Sequence, residues 1–88
     1  MNSKEQVQVT SAGIDPKLLD KAVRLVLINR YGSVALIQRH LLLGYGAALG
    51  IMNEMARIGL VGEPRQISGY RVVLWSAAMR KSYLDRIP

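Results

Sequence analysis

The side chains with the most definite chemistry in this sequence are arginines and amides that suit a nucleic-acid duplex. Guanidinium groups form paired hydrogen bonds with phosphate oxygens, and Asn and Gln amides can hydrogen-bond the edges of bases. A tyrosine hydroxyl in a turn between helices can also donate to a phosphate. The residues that supply these groups are Arg39, Tyr45, Asn53, Arg57, Arg65, Gln66 and Arg71. For each arginine the alternative is an ordinary solvated surface residue, and for Tyr45 it is a core position.

Catalytic and metal-binding chemistry has little support in the sequence. The single histidine, His40, has no cysteine to pair with, no neighbouring carboxylate and no metal-ligand spacing. Glu54 and Glu63 form no recognisable acid–base pair. We therefore expect no enzyme activity, no metal, no cofactor and no small-molecule substrate.

The composition predicts one folded domain that attracts polyanions. The chain has 88 residues, half of them hydrophobic, a net charge of +6 and no cysteine. This length allows a single core, and the positive charge makes double-stranded DNA the first partner to consider. The longest apolar run is far shorter than the ~20 residues that span a membrane. In the absence of a signal peptide, we expect a cytoplasmic protein with no membrane partner.

Residues 33–62 have the pattern of a helix-turn-helix. Gly44 and Tyr45 provide the short glycine-containing turn that joins two helices. The second helix of this pair should end at Gly59, a residue typical of a helix C-terminal cap. Its apolar stripe recurs at spacings of three and four and consists of Ala48, Ile51, Met52, Met55 and Ile58. Its predicted outer face has one cation and consists of Gly46, Ala47, Gly50, Asn53, Glu54 and Arg57.

The N-terminal third predicts an arm followed by a helix. Residues 1–14 are largely polar and lack helical periodicity, which indicates a flexible arm. Asp15 and Pro16 are a strong helix start, because Asp can cap free backbone N–H groups and Pro loses no hydrogen bond at the first helical position. We expect this helix to end in a turn at residues 29–32. The polar side chains that it should direct to water are Lys17, Asp20, Lys21 and Arg24.

The C-terminal part predicts β structure and then a last helix. Residues 60–75 have the pattern of strand, loop and strand. Three helices followed by a β-hairpin predict an α+β fold, a winged helix-turn-helix with the hairpin as its wing, over residues 15–75. Residues 76–88 predict a short amphipathic helix with Met79, Tyr83 and Ile87 on one side. We expect this helix to pack on the domain, and a self-association surface is the alternative.

A protein partner is the alternative to DNA. Gly46, Ala47 and Gly50 would give the third helix a smooth face that another backbone can approach closely. Each glycine costs about 1 kcal/mol of helix stability relative to alanine, which suggests a use for them. Met79 and Tyr83 could add to such a surface. This hypothesis predicts a homodimer or a complex that inhibits a partner protein, and it is compatible with a dimer that binds DNA.

Several blocks of sequence resemble the gamma domain of FtsK-type bacterial DNA translocases. The matching blocks, within residues 15–75, are Asp15-Pro16, Ala22-Val23, Leu36-Ile37-Gln38-Arg39 with Leu41, Gly44-Tyr45, Met55 and Gly59-Leu60-Val61-Gly62. The resemblance implies a winged helix. It also implies binding to short oriented sequences in double-stranded DNA through the third helix and the wing, with Arg39 as a phosphate contact.

The chain departs from the family where the family contacts bases. After Gly-Tyr the family usually has Asn-Arg and a further Arg three residues beyond, whereas this chain has Gly46, Ala47 and Gly50. His40 replaces the second Arg of a pair, and Leu42 replaces a cation before the turn. The resemblance therefore implies the fold without the family's sequence preference. Since the chain has its own Met1, we expect a standalone protein that acts in transcription regulation or DNA maintenance in a bacterium, phage or plasmid.

Overall fold

The computed structural model describes residues 13–86, and it confirms the winged-helix prediction. Most of the predicted N-terminal arm, residues 1–12, lies outside the described residues, whereas Ile14 is buried in the core. The elements in chain order are α1 (Pro16–Asn29), β1 (Tyr31–Gly32), α2 (Val34–Leu41), α3 (Tyr45–Arg57), β2 (Arg71–Val72) and α4 (Ala77–Leu84).

The helix ends follow from their capping residues. Asp15 accepts a hydrogen bond at Oδ1 from the backbone N–H of Lys17 (3.1 Å), as its sequence predicted. Ser33 caps α2 in the same way, since its Oγ accepts from the N–H of Leu36 at 3.3 Å. After α3, Gly59 has φ +80°, and the N–H of Leu60 donates to the Met55 carbonyl at 2.9 Å. This is the left-handed glycine cap that satisfies the last carbonyls of a helix.

The core lies where α1, α2 and α3 meet. Each helix contributes the apolar side chains of one face. The predicted stripe of α3 is confirmed except at Ile58, which follows the last turn of the helix and is 41% exposed. The buried hydrophobic residues are Ile14, Ala22, Val23, Val26, Leu27, Leu36, Ile37, Ala48, Ile51, Met52, Met55, Leu60 and Val61.

The sheet has two strands, and one of them, β1, lies in a segment that the sequence did not predict as a strand. β1 pairs antiparallel with β2, with Tyr31 opposite Val72 and Gly32 opposite Arg71. On the other side of β2, the N–H of Gly62 donates to the Val72 carbonyl at 2.9 Å. The wing hairpin is therefore present, although its regular strand is shorter than expected. The prediction that residues 29–32 form only a turn is wrong, because two of them pair with the wing.

Gly32 explains why β1 can lie so close to α3. A Cβ atom built on Gly32 would lie 3.2 Å from Met52 Sδ and 3.2 Å from Val61 Cγ1. Both neighbours are buried core residues, so there is little free volume to receive an added methyl group. The glycine allows a close approach between packed elements that an added methyl group would crowd.

Polar contacts at its C-terminal end hold α4 against α1, and none of its residues is buried. The Tyr83 hydroxyl donates to Asp20 Oδ1 at 2.5 Å. Arg24 donates to the Leu84 carbonyl at 3.3 Å and to the Arg86 carbonyl at 3.2 Å. The prediction that α4 packs on the domain is confirmed. Asp20 and Arg24 do not simply face water as expected, since they join the two ends of the domain.

This contact changes the acid–base behaviour of its two titratable partners. The hydrogen bond from Tyr83 lowers the pKa of Asp20, and Arg24 adds to this effect. Burial and the contact with Asp20 raise the pKa of Tyr83. Because its pKa is lowered in the folded state, ionised Asp20 stabilises the fold above its ordinary pKa of about 4, and this stabilisation is lost as the pH falls.

The first prediction concerns the close approach at Gly32. Gly32→Ala should lower the free energy of unfolding by about 1 kcal/mol or more, because Met52 and Val61 must move to admit the methyl group. Urea denaturation measures the change. Gly46→Ala is the matched control, since a Cβ at Gly46 meets nothing within 4 Å. Equal stability of the Gly32→Ala variant and the wild type would contradict this account of the packing.

The second prediction concerns the contact between Tyr83 and Asp20. Tyr83→Phe should lower the free energy of unfolding at pH 7 by about 1 kcal/mol, since it removes one hydrogen bond to a carboxylate. The difference from the wild type should be smaller near pH 3 than at pH 7, because the stabilisation by ionised Asp20 is lost progressively as the pH falls below its ordinary pKa. Urea titrations at the two pH values provide the measurement, with Tyr45→Phe as the control at an exposed tyrosine. A loss that does not depend on pH would rule out this role for Asp20.

Candidate nucleic-acid interface

The first turns of α3 present an exposed surface without charge. The Tyr45 side chain is 61% exposed, so it is not a core residue. Gly46 and Ala47 are exposed, and Gly50 is partly exposed. A Cβ atom at Gly46 or Gly50 would meet nothing within 4 Å, so both positions have room for a side chain. The helix therefore offers space where the sequence offers no polar group.

Leu42, in the turn before α3, is both exposed and left-handed. Its side chain is 88% exposed and its backbone has φ +57°. The N–H groups of Leu42 and Leu43 both point to the Gln38 carbonyl, which closes α2 as a glycine normally would. A left-handed leucine costs about 1 kcal/mol relative to glycine. The sequence indicated Gly44 as the residue of the turn, and nothing in it indicated that Leu42 would form the left-handed cap of α2.

Arg57 is paired with a buried carboxylate. Its Nε lies 2.9 Å from Glu54 Oε1, and its Nη2 lies 2.6 Å from Glu54 Oε2. Arg57 lowers the pKa of Glu54. Glu54 was expected on the outer face of α3, but its side chain is only 6% exposed. The guanidinium of Arg57 favours the ionised form of the Glu54 carboxyl. The charge of Arg57 is therefore largely neutralised by its partner.

The turn of the wing presents Arg65 and Gln66 to solvent. The Arg65 N–H donates to the Tyr70 carbonyl at 2.8 Å, and the Gly69 N–H donates to the Arg65 carbonyl at 2.8 Å. Tyr70 stacks on Tyr31, with 4.5 Å between the ring centroids and an angle of 19° between the planes. These contacts give the wing a defined shape and connect it to β1.

The remaining candidates for DNA contact differ in whether their side chains are already bound to other parts of the chain. Arg71 is half-buried, and its Nη1 donates to the Gly62 carbonyl at 3.4 Å, so it helps to hold the wing. Arg39 is exposed on α2, and Asn53 is exposed on α3. Within residues 13–86 neither Arg39 nor Arg65 forms an ion pair. The sequence predicted the same role for four arginines. In the described residues Glu54 neutralises one of them, Arg57, and Arg71 is bound to the wing backbone, whereas the guanidinium groups of Arg39 and Arg65 have neither kind of contact.

The residues predicted to contact a protein also differ in their exposure and in their contacts within the chain. Met79 on α4 is half-exposed. The Tyr83 ring is partly buried against the core, lies 5.8 Å from the Trp75 ring and has its hydroxyl on Asp20. Tyr83 is thus engaged within the chain, whereas the small residues of α3 remain exposed.

Two general properties of the described residues bear on the kind of site. Between Gly13 and Arg86, no group of three or more His, Asp or Glu side chains is placed to hold a metal ion. No helix in the same part of the chain has the length and apolar character to cross a membrane.

Comparison with known proteins decides the family. The model of the Ftsk gamma domain matches residues 14–76, which include α1, α2, α3 and the whole wing. This chain belongs to the FtsK gamma domain family. The resemblance deduced from the Leu-Ile-Gln-Arg block, the Gly-Tyr turn and the exit glycines is confirmed.

The relatives of this gamma domain are much longer proteins. DNA translocase FtsK 2 of Ralstonia nicotianae is 46% identical over 50 residues, which are 57% of this chain and 6% of the relative. DNA translocase FtsK of Tropheryma whipplei is 40% identical over 75 residues, 85% of this chain and 10% of the relative. DNA translocase FtsK of Rickettsia typhi is 34% identical over 68 residues, 77% of this chain and 9% of the relative. The similarity therefore covers only the small gamma domain of each translocase.

The third prediction concerns the open space on α3 of this gamma domain. Gly50→Ala should raise the free energy of unfolding by about 0.5–1 kcal/mol, because alanine loses less backbone entropy in a helix interior and its methyl group meets no neighbour. Thermal and urea denaturation measure the gain. The opposite sign is expected for Gly32→Ala in the same chain. A destabilised Gly50→Ala variant would mean that Gly50 has a packing role.

Proposed function

We propose that this chain binds double-stranded DNA as a winged-helix protein and acts in the cytoplasm as a regulator or DNA-maintenance accessory of a bacterium, phage or plasmid. The observation that carries the proposal is the family match over residues 14–76, which includes both the helix and the wing that such a domain presents to a duplex. The relatives that share this domain are named DNA translocases.

Charge supports the proposal and indicates how the duplex is held. Arg39 on α2 and Arg65 on the wing are exposed cations without an acidic partner among the described residues. Cations of this kind displace counterions from DNA phosphates, which makes the affinity depend on salt. Arg57 and Arg71 contribute less, because Glu54 neutralises the first and the wing backbone engages the second.

The contact is expected to be mainly with the DNA backbone. Gly46, Ala47 and Gly50 have no groups that hydrogen-bond base edges, so the start of α3 supplies little direct discrimination among sequences. The amides of Asn53 and Gln66 are exposed and are the remaining candidates for base contact. The exposed Tyr45 hydroxyl, at the first residue of α3, is the candidate for donation to a phosphate.

A second candidate function is contact with a protein, either a second copy or a partner that the domain inhibits. The observation that favours it is Leu42, which is exposed beside the uncharged start of α3. Together with Tyr45, Gly46, Ala47 and Gly50 it gives this side of the domain an apolar character. Such a surface suits a protein better than it suits phosphate groups.

The fourth prediction tests DNA binding directly. The purified chain is titrated with a mixed-sequence duplex at several salt concentrations, and the affinity should fall steeply as salt rises. Arg39→Ala and Arg65→Ala should each weaken binding and lower the salt slope by about 1. Lys21→Ala, which removes an exposed cation from α1, is the matched control and should have little effect.

The variant Gly46→Asn/Ala47→Arg/Gly50→Arg is the complementary test, in which DNA binding should increase. It restores the side chains that the family usually has at these positions, and the open space at Gly46 and Gly50 should accept them. We expect it to bind DNA more tightly than the wild type. If the restored variant binds and the wild type does not bind at low salt, the DNA proposal is overturned for this chain. A dimer in light scattering that Leu42→Lys dissociates would then establish the second candidate.

A further inference from the structure

A groove lies between α1, the end of α3 and α4. Its volume is about 750 Å³, and its interior is mainly apolar. Leu19, Ile58 and Trp75 contribute apolar surface, and the cations Lys17, Lys21 and Arg86 also line it. A single groove thus combines an apolar floor with positive charge.

This groove is partly built by residues outside the gamma-domain match. The family model ends at residue 76, whereas Tyr83 and Arg86 line the groove beyond it. Polar contacts fix this wall, since the Tyr83 hydroxyl is on Asp20 and Arg24 donates to the carbonyls of Leu84 and Arg86. The wall is therefore held in place while Trp75 and Ile58 remain accessible at the groove.

The charged residues that line the groove are predominantly positive. Lys17 and Lys21 are exposed and lie one turn apart on α1, so both are on the same side of the helix. Arg86 is exposed, and its guanidinium lies 4.2 Å above the Tyr83 ring. Asp20, the carboxylate among them, is bound by Tyr83 and Arg24 and has its charge compensated.

We propose that this groove binds an acidic amphipathic helix of a partner protein. Apolar side chains of the helix would cover Leu19, Ile58 and Trp75, and its carboxylates would meet Lys17, Lys21 and Arg86. Binding of an amphipathic helix in an apolar groove is a common mode of peptide recognition, and opposite charge at the rim selects the partner. A DNA backbone fits less well, because phosphates gain nothing from the apolar floor. The proposal is independent of DNA binding by α2, α3 and the wing.

The fifth prediction uses Trp75, the only tryptophan of the chain, as the reporter. The probe is a Trp-free synthetic peptide of about 18 residues, with leucines at helical spacing and glutamates on either side of them. We expect it to shift the emission of Trp75 and the NMR signal of its indole N–H. A peptide with lysine in place of every glutamate and one with serine in place of every leucine are the controls, and neither should bind.

Charge-reversal variants separate this site from the DNA site. Lys17→Glu/Lys21→Glu should weaken the acidic peptide by about tenfold or more, since two attractive pairs become repulsive, and should leave DNA affinity nearly unchanged. Arg39→Glu/Arg65→Glu is the matched control and should do the reverse. The substituted residues are all exposed, so both variants are expected to fold.

Three outcomes would overturn the proposal. They are the absence of any change at Trp75 with excess peptide, equal binding to the Lys17→Glu/Lys21→Glu variant, and displacement of the peptide by duplex DNA. The last outcome would assign the groove to nucleic acid. Loss of DNA binding in the wild-type titration alone would bear on the proposed function and leave the groove proposal standing.

Discussion

The third helix and the wing meet at Gly32, where the absence of a side chain lets β1 pack closely against the core. The backbone of β1 lies so close to Met52 of α3 and Val61 at the entrance to the wing that a Cβ atom at Gly32 would be only 3.2 Å from each of their side chains. Because Gly32 also pairs with Arg71, the strand of the wing takes its position from the same point. The stacked rings of Tyr31 and Tyr70 reinforce that connection. Helix and wing therefore form one unit, which a joint contact with a partner requires.

The sequence was most informative where neighbouring residues decide the structure. Asp15 and Pro16 began α1, and Gly59 ended α3, because capping involves only adjacent backbone groups. The strand at residues 31–32 was missed, since a Tyr-Gly pair after Asn-Arg has the composition of a turn and only its distant partner, β2, makes it a strand. The fold class followed from element order, which survives such an error.

The candidate site was less predictable because charge depends on partners. In the sequence, Arg57 and Arg65 are equivalent cations, but one neutralises a buried glutamate and the other is exposed on the wing. The burial of Glu54 has no local signal, since its spacing from Arg57 is as common on exposed helices. Tyr83 and Asp20 are 63 residues apart, so no pattern in the sequence could join them. The loss of polar side chains at Gly46 and Gly50 was evident from the sequence, whereas the space around them was not.

The attachment of α4 has a consequence for the order in which the molecule assembles. The contacts between α2 and α3 are close in sequence and can form early, whereas the contacts that hold α4 close a loop of about 60 residues. With no buried residue of its own, α4 adds little to the cooperative core. It should therefore dock last during folding and detach first during partial unfolding. The groove beside α4 then exists only while α4 is docked, whereas the winged helix can remain folded without it.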